Sequence, residues 1–386
     1  MNTAQPSTGP RQPREFLAQT PESLEAWATE SDLPRFVASQ LLKWVYERGV
    51  TDPASMTDLS KRGRAAVARD FRFMHAVPLV SQLATDGTRK VLLGWPEETS
   101  AAESCAVDGA PAATTLPLPT LGAPARRTEC VMIPTDDRKT ACVSSQVGCP
   151  VGCRFCASGI GGLEGNLSAA QILEQVHRLR LEPDIGRISH VVFMGMGEPL
   201  ANLPAVTHAI RTLNAPWGFG ISARRITVST VGLPAAIRKF CEFELPVTLA
   251  LSLHAPNDHL RREIIPWAQY STVAELLDAC DEWFRRTGRE ITLEYIMLGG
   301  FNDRAEHAEE LASLARRLRA NVNLIRYNEV DGLPYQRPRS EDVHRFQEVL
   351  RERRVNAHIR ASRGRDIAAA CGQLRHQSVS GLPAAG

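Results

Sequence analysis

The residues best equipped for chemistry form one short run, CPVGCRFC, which places thiols at Cys149, Cys153 and Cys156. Thiolates spaced in this way can wrap one small inorganic cluster from a single loop. Gly148 and Gly152 stand where the backbone must bend. Three ligands suit a four-iron cluster that keeps one iron open for a small molecule. A structural zinc site or an ordinary four-iron electron carrier takes four protein ligands, and no second CxxC occurs in the chain. The chain has 9 cysteines, an odd number. In a reducing compartment such cysteines serve metals or catalysis more readily than disulfides.

The elements that must position this loop read as alternating strands and helices. Strand-like runs are TACVSSQ, RISHVVFMGM, RRITVST, PVTLALSLH, EITLEYIML and NVNLIRYN. Helical stretches begin near Ser168, Leu203, Pro234, Val273, Asp303 and Ser340. This is the βα repeat of a parallel sheet or barrel. Six units fit a partial (β/α)6 barrel, with a doubly wound open sheet as the alternative. Polar residues at the strand ends favour the barrel, whose chemistry sits where strands give way to loops. The cysteine loop follows the first strand and Gly197-Glu198-Pro199 the second. Ser229, Ser252 with His254, and Asn328 end the third, fourth and sixth. A dinucleotide reading of Gly195-Met196-Gly197 is weak, because the third glycine is absent and a proline follows closely.

The cysteine spacing, with an aromatic before the last thiol, resembles the radical S-adenosylmethionine superfamily. In that superfamily the open iron chelates the cofactor's amino and carboxylate groups. The match narrows further. CVSSQVGC, FCASGIGGLEGNL, GMGEPL, STVGLP, LSLHAPND, EYIMLGGFND and DIAAACGQLR resemble the RlmN/Cfr family of RNA methyltransferases, from about residue 20 to 376. GGLEGNL is more like the RlmN branch, although Glu164 and Gly165 stand where that branch usually has basic residues.

The resemblance implies a radical-SAM barrel, a [4Fe-4S] cluster on Cys149, Cys153 and Cys156, and S-adenosyl-L-methionine as cofactor. It places Gly197, Glu198, Ser229, Ser252, Leu253, His254 and Asn328 around that cofactor, with Glu198 accepting hydrogen bonds from its amino group. It also implies a route to C2 of adenine, an electron-poor carbon to which a sulfonium methyl cannot simply be passed. Cys371 takes a methyl group, and a methylene radical formed from it joins the ring. Glu129 removes the ring proton, and Cys142 attacks the Cys371 sulfur, leaving a transient disulfide. The implied partners are 23S rRNA, tRNA and an electron donor such as a flavodoxin-type reductant. A Cfr-type enzyme acting at C8 is the near alternative, and a non-catalytic metal–cysteine nucleic-acid-binding protein the distant one.

The other sequence features set bounds. A net charge of +2 argues for no partner by itself. Arg351, Arg353, Arg354, Arg360, Arg363 and Arg365 cluster near the C-terminus, and Lys43, Arg48, Lys61, Arg62 and Arg64 lie in the helical N-terminal part. Each group reads equally as phosphate contacts or as solvated charge. The expected organisation is a disordered start (1–13), a small helical accessory domain of RNA-binding type (14–96) with a strand pair at its end, and a flexible Ala/Thr/Pro/Gly-rich insertion (97–126) holding Cys105. The catalytic barrel (127–376) and a disordered tail (377–386) follow. Cys105, Cys130, Cys241 and Cys280 match no motif and read as packing or surface residues. No apolar run long enough to span a membrane and no secretory signal is evident, so a cytoplasmic monomer with no membrane partner is expected.

Overall fold

The computed structural model describes residues 12–96 and 126–374. The expectations for the start, the insertion with Cys105 and the tail therefore lie outside the described residues, except that Arg126 already begins a strand.

In the N-terminal part, β1 (Arg14–Glu15) precedes α1 (Pro21–Glu30), α2 (Phe36–Leu42), α3 (Lys61–Asp70) and β2 (Phe71–Arg72). Thr20 opens α1 with a capping box, accepting a hydrogen bond from Ser23 N while Ser23 Oγ accepts from Thr20 N. The helix that follows α2, α3, starts at Lys61. Pro53–Ser55 is a single 3-10 turn, and Ser60 is the residue that caps α3.

The strand pair expected near residue 80 is β3 (Val77–Leu83) and β4 (Arg89–Trp95), an antiparallel hairpin. It continues through β5 (Arg126–Pro134) to β6 (Lys139–Cys142). The cysteine loop is framed by β7 (Gln146–Gly148) and β8 (Leu163–Asn166), which pair with each other. Then α4 (Ala169–Leu181), β9 (His190–Phe193), α5 (Leu203–Asn214), β10 (Ile226–Thr230), α6 (Pro234–Phe240) and β11 (Thr248–Ser252) alternate. They are followed by α7 (Asp258–Ile264), α8 (Val273–Thr287), β12 (Thr292–Met297), α9 (Ala305–Leu318), β13 (Asn321–Arg326), α10 (Ser340–Glu352) and β14 (Ala357–Arg360).

One ten-stranded sheet runs in the order β14-β13-β12-β11-β10-β9-β6-β5-β4-β3. From β6 to β14 all neighbours are parallel. Each new parallel strand is added on the same side as the last. Right-handed crossovers then put every connecting helix on one face. A doubly wound sheet would instead reverse direction at a switch point. Among the described residues β14 and β3 do not pair, so the curved sheet is an open, partial barrel. The six expected strands are present, and β14 adds a seventh. Helix α7 was not foreseen, because a few residues of DHLRREI carry too little periodicity to separate from a loop.

Strand alternation sorts the two faces. Ile226 and Val228 of β10 are fully buried toward the helices, while Thr227 and Ser229 turn to the barrel interior. The N-terminal helices share the barrel's apolar core. A buried carboxylate also joins them to it: Glu174 of α4 accepts from His75 N (2.7 Å), Ala76 N (2.8 Å) and Arg178 Nε (2.9 Å).

Candidate active site

The three thiols sit on the turn between β7 and the 3-10 turn Ala157–Gly159, at the mouth formed by the C-terminal strand ends. All three line one open cavity, with Gly197, Glu198, Ser229, Ser252, His254, Glu294, Arg360 and Cys371. Burial pushes the Cys149 thiol up to about 12, and pushes Cys153 and Cys156 up as well. They ionise only against a positive partner. A bound iron cluster is such a partner, and the buried guanidinium of Arg261 beside Cys153 adds to it. Arg261 is held by Leu253 O (3.2 Å) and Val231 O. Among the described residues no three Cys, His, Asp or Glu side chains converge on a single metal ion.

Two sequence motifs interlock to build the cavity floor. Ser144 N and O are both bonded by the Gln175 side chain (2.8 and 2.9 Å), and Ser144 Oγ donates to Glu129 O (2.7 Å) while accepting from Met196 N (2.9 Å). Gln146 accepts from Glu198 N (2.8 Å) and donates to Asn166 Oδ1 (2.7 Å). The CVSSQ strand end and the GMGEP turn therefore lie against each other with no space between. A Cβ on Gly197, at φ +102, would stand 2.6 Å from Gln146 Cβ.

Glu198 is a strut across two strand ends. Its Oε1 accepts from Leu200 N (3.0 Å) and its Oε2 from Val231 N (2.8 Å). Burial raises its carboxyl, and these amides oppose that shift. With Leu200 N, Val231 N and the Thr230 hydroxyl already donating, the carboxylate keeps acceptor capacity for a further donor in the cavity. The hydroxyls of Ser229 and Ser252 meet at 3.0 Å on adjacent strands. His254 adopts φ +59, and its Nδ1 accepts from Ile296 N (3.1 Å), which leaves Nε2 as the proton-bearing nitrogen. Burial lowers its imidazole to about 3, so it is a neutral donor. Leu253 does not line this cavity. Its side chain is buried in the core and its carbonyl is taken by Arg261.

Cys142, Cys371 and Asn328 line a second cavity with Met194, Arg360, Arg363 and Leu374. Cys371 faces both cavities. Burial and the neighbouring Cys371 push the Cys142 thiol up to about 12. Asn328 belongs here rather than beside Ser229. It donates to Cys371 O (3.4 Å) and accepts from Arg337 Nη1 (3.1 Å), so it tethers the Cys371 segment to the end of β13. Other tethers are Ala157 N to Gly372 O (2.8 Å) and Ser158 Oγ to Leu374 O (2.6 Å). Glu129 lies beneath, on the same face of β5 as Val131, which pairs with Cys142. It is buried in an ion pair with Lys90 (2.9 Å).

Sequence reasoning missed Lys90, Arg261, Glu294 and Gln175. Glu294 stands alone in an apolar run, whereas Lys90, Arg261 and Gln175 sit beside other polar residues in the chain, and only burial marks them out. The basic groups are divided by the fold. Arg353 pairs with Glu309 on the outer helices, whereas Arg360 and Arg363 reach the second cavity. Arg62 pairs with Asp32 at the surface, and Arg48 lies over the Trp44 ring. Cys130, Cys241 and Cys280 are buried free thiols that pack in the core.

Comparison with known proteins agrees with this geometry. Residues 143–315 match the radical SAM superfamily, and residues 15–72 match the ribosomal RNA large subunit methyltransferase N-terminal domain. Proteins named "Probable dual-specificity RNA methyltransferase RlmN" are similar over nearly the whole chain. That of Gloeobacter violaceus is 43% identical, covering 95% of this chain and 96% of its own. That of Rhodopirellula baltica is 41% identical, with 96% and 92% covered. The crystal structure of a radical SAM methyltransferase from Sphaerobacter thermophilus superimposes with a TM-score of 0.83 at 38% identity, covering 94% of this chain and 99% of that one. The chain belongs to the RlmN family of radical S-adenosylmethionine enzymes.

Proposed function

We propose that this protein methylates C2 of an adenosine in 23S rRNA and in tRNA, with Cys371 as the methyl carrier. One observation carries the reading: Cys371 lies between the cavity ringed by the three cluster thiols and the cavity that holds Cys142. A carrier must visit both a methyl source and a resolving thiol, and this position serves both.

Cys149, Cys153 and Cys156 hold the [4Fe-4S] cluster, and Glu198, Ser229, Ser252 and His254 surround S-adenosylmethionine. When bound, these groups would supply the methyl, a hydrogen-abstracting radical and an acceptor for the one electron that the ring adduct gives up as it regains aromaticity. The Cys371 thiol accepts the methyl and, after hydrogen loss, bonds through its carbon to the adenine ring. Glu129 takes the ring proton. Cys142 then attacks the Cys371 sulfur as a thiolate; the C–S electron pair passes to the methylene carbon, which takes a proton to become the methyl, and a disulfide is left for a flavodoxin-type donor to reduce. Such a thiol acts as its thiolate. Arg360, which lines the same cavity, favours that form. The accessory region at 14–96 steadies the folded RNA, and the reaction takes place in the cytoplasm.

Mass spectrometry of RNA from cells with and without the protein tests the reading. Loss of 2-methyladenosine from both RNA classes supports it. Loss of 8-methyladenosine instead would replace it with the Cfr-type alternative.

A further inference from the structure

Lys90 is 8% exposed, which is unusual for lysine, since an ammonium leaves water only where it is paired. It has two partners. Its Nζ lies 2.9 Å from Glu129 Oε1 and donates to Ala368 O at 3.2 Å. Ala368 is held at φ +50, three residues before Cys371 on the same segment. One buried cation therefore touches both the carboxylate assigned as base and the segment that carries the methyl.

We propose that Lys90 is a positioning residue that fixes the Glu129 carboxylate and the Cys371 segment in one register, so that the base faces the ring carbon to which the carrier is joined. The inference rests on Glu129 being the base. In that step the proton moves from the ring carbon to a Glu129 oxygen, the C–H electron pair stays in the ring, and Lys90 takes no part in the transfer. The segment does not depend on Lys90 alone. Gly364 N donates to Asp86 (3.0 Å), Thr85 N to Asp366 (2.9 Å), Ala157 N to Gly372 O (2.8 Å) and Ser158 Oγ to Leu374 O (2.6 Å). Removing the ammonium leaves the carrier seated and the carboxylate without this partner.

The test uses the cluster-loaded full chain and an RNA hairpin whose target adenosine carries deuterium at C2. Lys90→Met, Lys90→Arg, Glu129→Gln and the Lys90→Met/Glu129→Gln double variant are compared. Three quantities are read: methylation of Cys371 by intact mass, the rate of product formation with its isotope effect, and the unfolding midpoint. General-base assistance amounts to roughly 10²–10⁴-fold. Lys90→Met, which misplaces the base without deleting it, should slow product formation about 10- to 100-fold. It should keep methyl-Cys371 at the wild-type level and enlarge the isotope effect. Lys90→Arg should recover most of the rate, and the double variant should be no slower than Glu129→Gln. Where Lys90→Met lowers the unfolding midpoint, Lys90→Gln, which retains a donor for Ala368, replaces it. Multiplicative losses in the double variant, or methyl-Cys371 falling in step with product, would overturn the inference. So would normal turnover by Lys90→Met while Glu129→Gln is slow. Normal turnover by Glu129→Gln would remove the base assignment and this inference with it.

Discussion

Gly197→Ala tests how tightly the two cavity-forming motifs are packed. The added methyl would lie 2.6 Å from Gln146 Cβ, 2.8 Å from Ser145 Oγ and 2.9 Å from Gln146 Cγ. Gln146 cannot swing aside without losing its bonds to Glu198 N and Asn166. Gly161 supplies a control, because its φ of +100 nearly equals the +102 of Gly197 while nothing lies within 4 Å of its missing Cβ. Alanine at either position bears the backbone strain of positive φ, about 1–2 kcal/mol. Only Gly197→Ala adds overpacking, about 1–3 kcal/mol. Denaturant unfolding should therefore place Gly197→Ala about 1–3 kcal/mol below Gly161→Ala. Equilibrium dialysis should show S-adenosylmethionine bound at least about tenfold more weakly by Gly197→Ala, since relief of the clash displaces Glu198. Equal stability of the two variants, with unchanged cofactor affinity, would refute the packing argument.

Replacing Cys149, Cys153 or Cys156 with Ala should abolish the brown colour and bound iron of anaerobically purified protein, which metal analysis reads directly. His177, buried on α4, has its imidazole lowered to about 4 from 6.5. A depressed folded value means that its contribution is complete above pH 6.5 and is lost as pH falls toward 4. The total is on the order of 3 kcal/mol, and unfolding midpoints of His177→Gln should flatten across that window. Trp95 and Arg126 are partners across β4 and β5, so the chain ends flanking 97–125 are adjacent. A short Gly/Ser turn in place of that segment should keep methylation within a few-fold of wild type, and complete loss in a folded, cluster-loaded variant would show a specific role for it.

The sequence reveals whatever depends on local pattern. Alternating apolar runs located six parallel strands, and helix starts were legible at Ser168, Pro234 and Val273, where the structure shows a capping box, a proline in the first turn and a second capping box at Thr272. The cluster loop was legible because its ligands are neighbours in the chain. The rest depends on contacts between distant residues. Lys90 meets Glu129 and Ala368 only after β4 and β5 pair and the C-terminal segment crosses the mouth. Ser229, Ser252 and His254 line the first cavity because each lies at or just past a strand end. Leu253 and Asn328 end strands too, yet side-chain direction and a tether to Cys371 place them elsewhere. Strand β14 is four residues long, and pairing with β13, not composition, makes it a strand.

The account's central claim is that Cys371 carries the methyl and Cys142 releases the product. The most direct measurement is denaturing electrophoresis with mass spectrometry of Cys142→Ala after reaction with RNA. The variant should accumulate a protein–RNA species that survives denaturation, with the cross-link at Cys371, and the Cys142→Ala/Cys371→Ala double variant should form none. Release needs a thiolate within reach of the bridging sulfur, which a methyl side chain cannot supply. Normal turnover by Cys142→Ala, or a cross-link that persists without Cys371, would contradict the account.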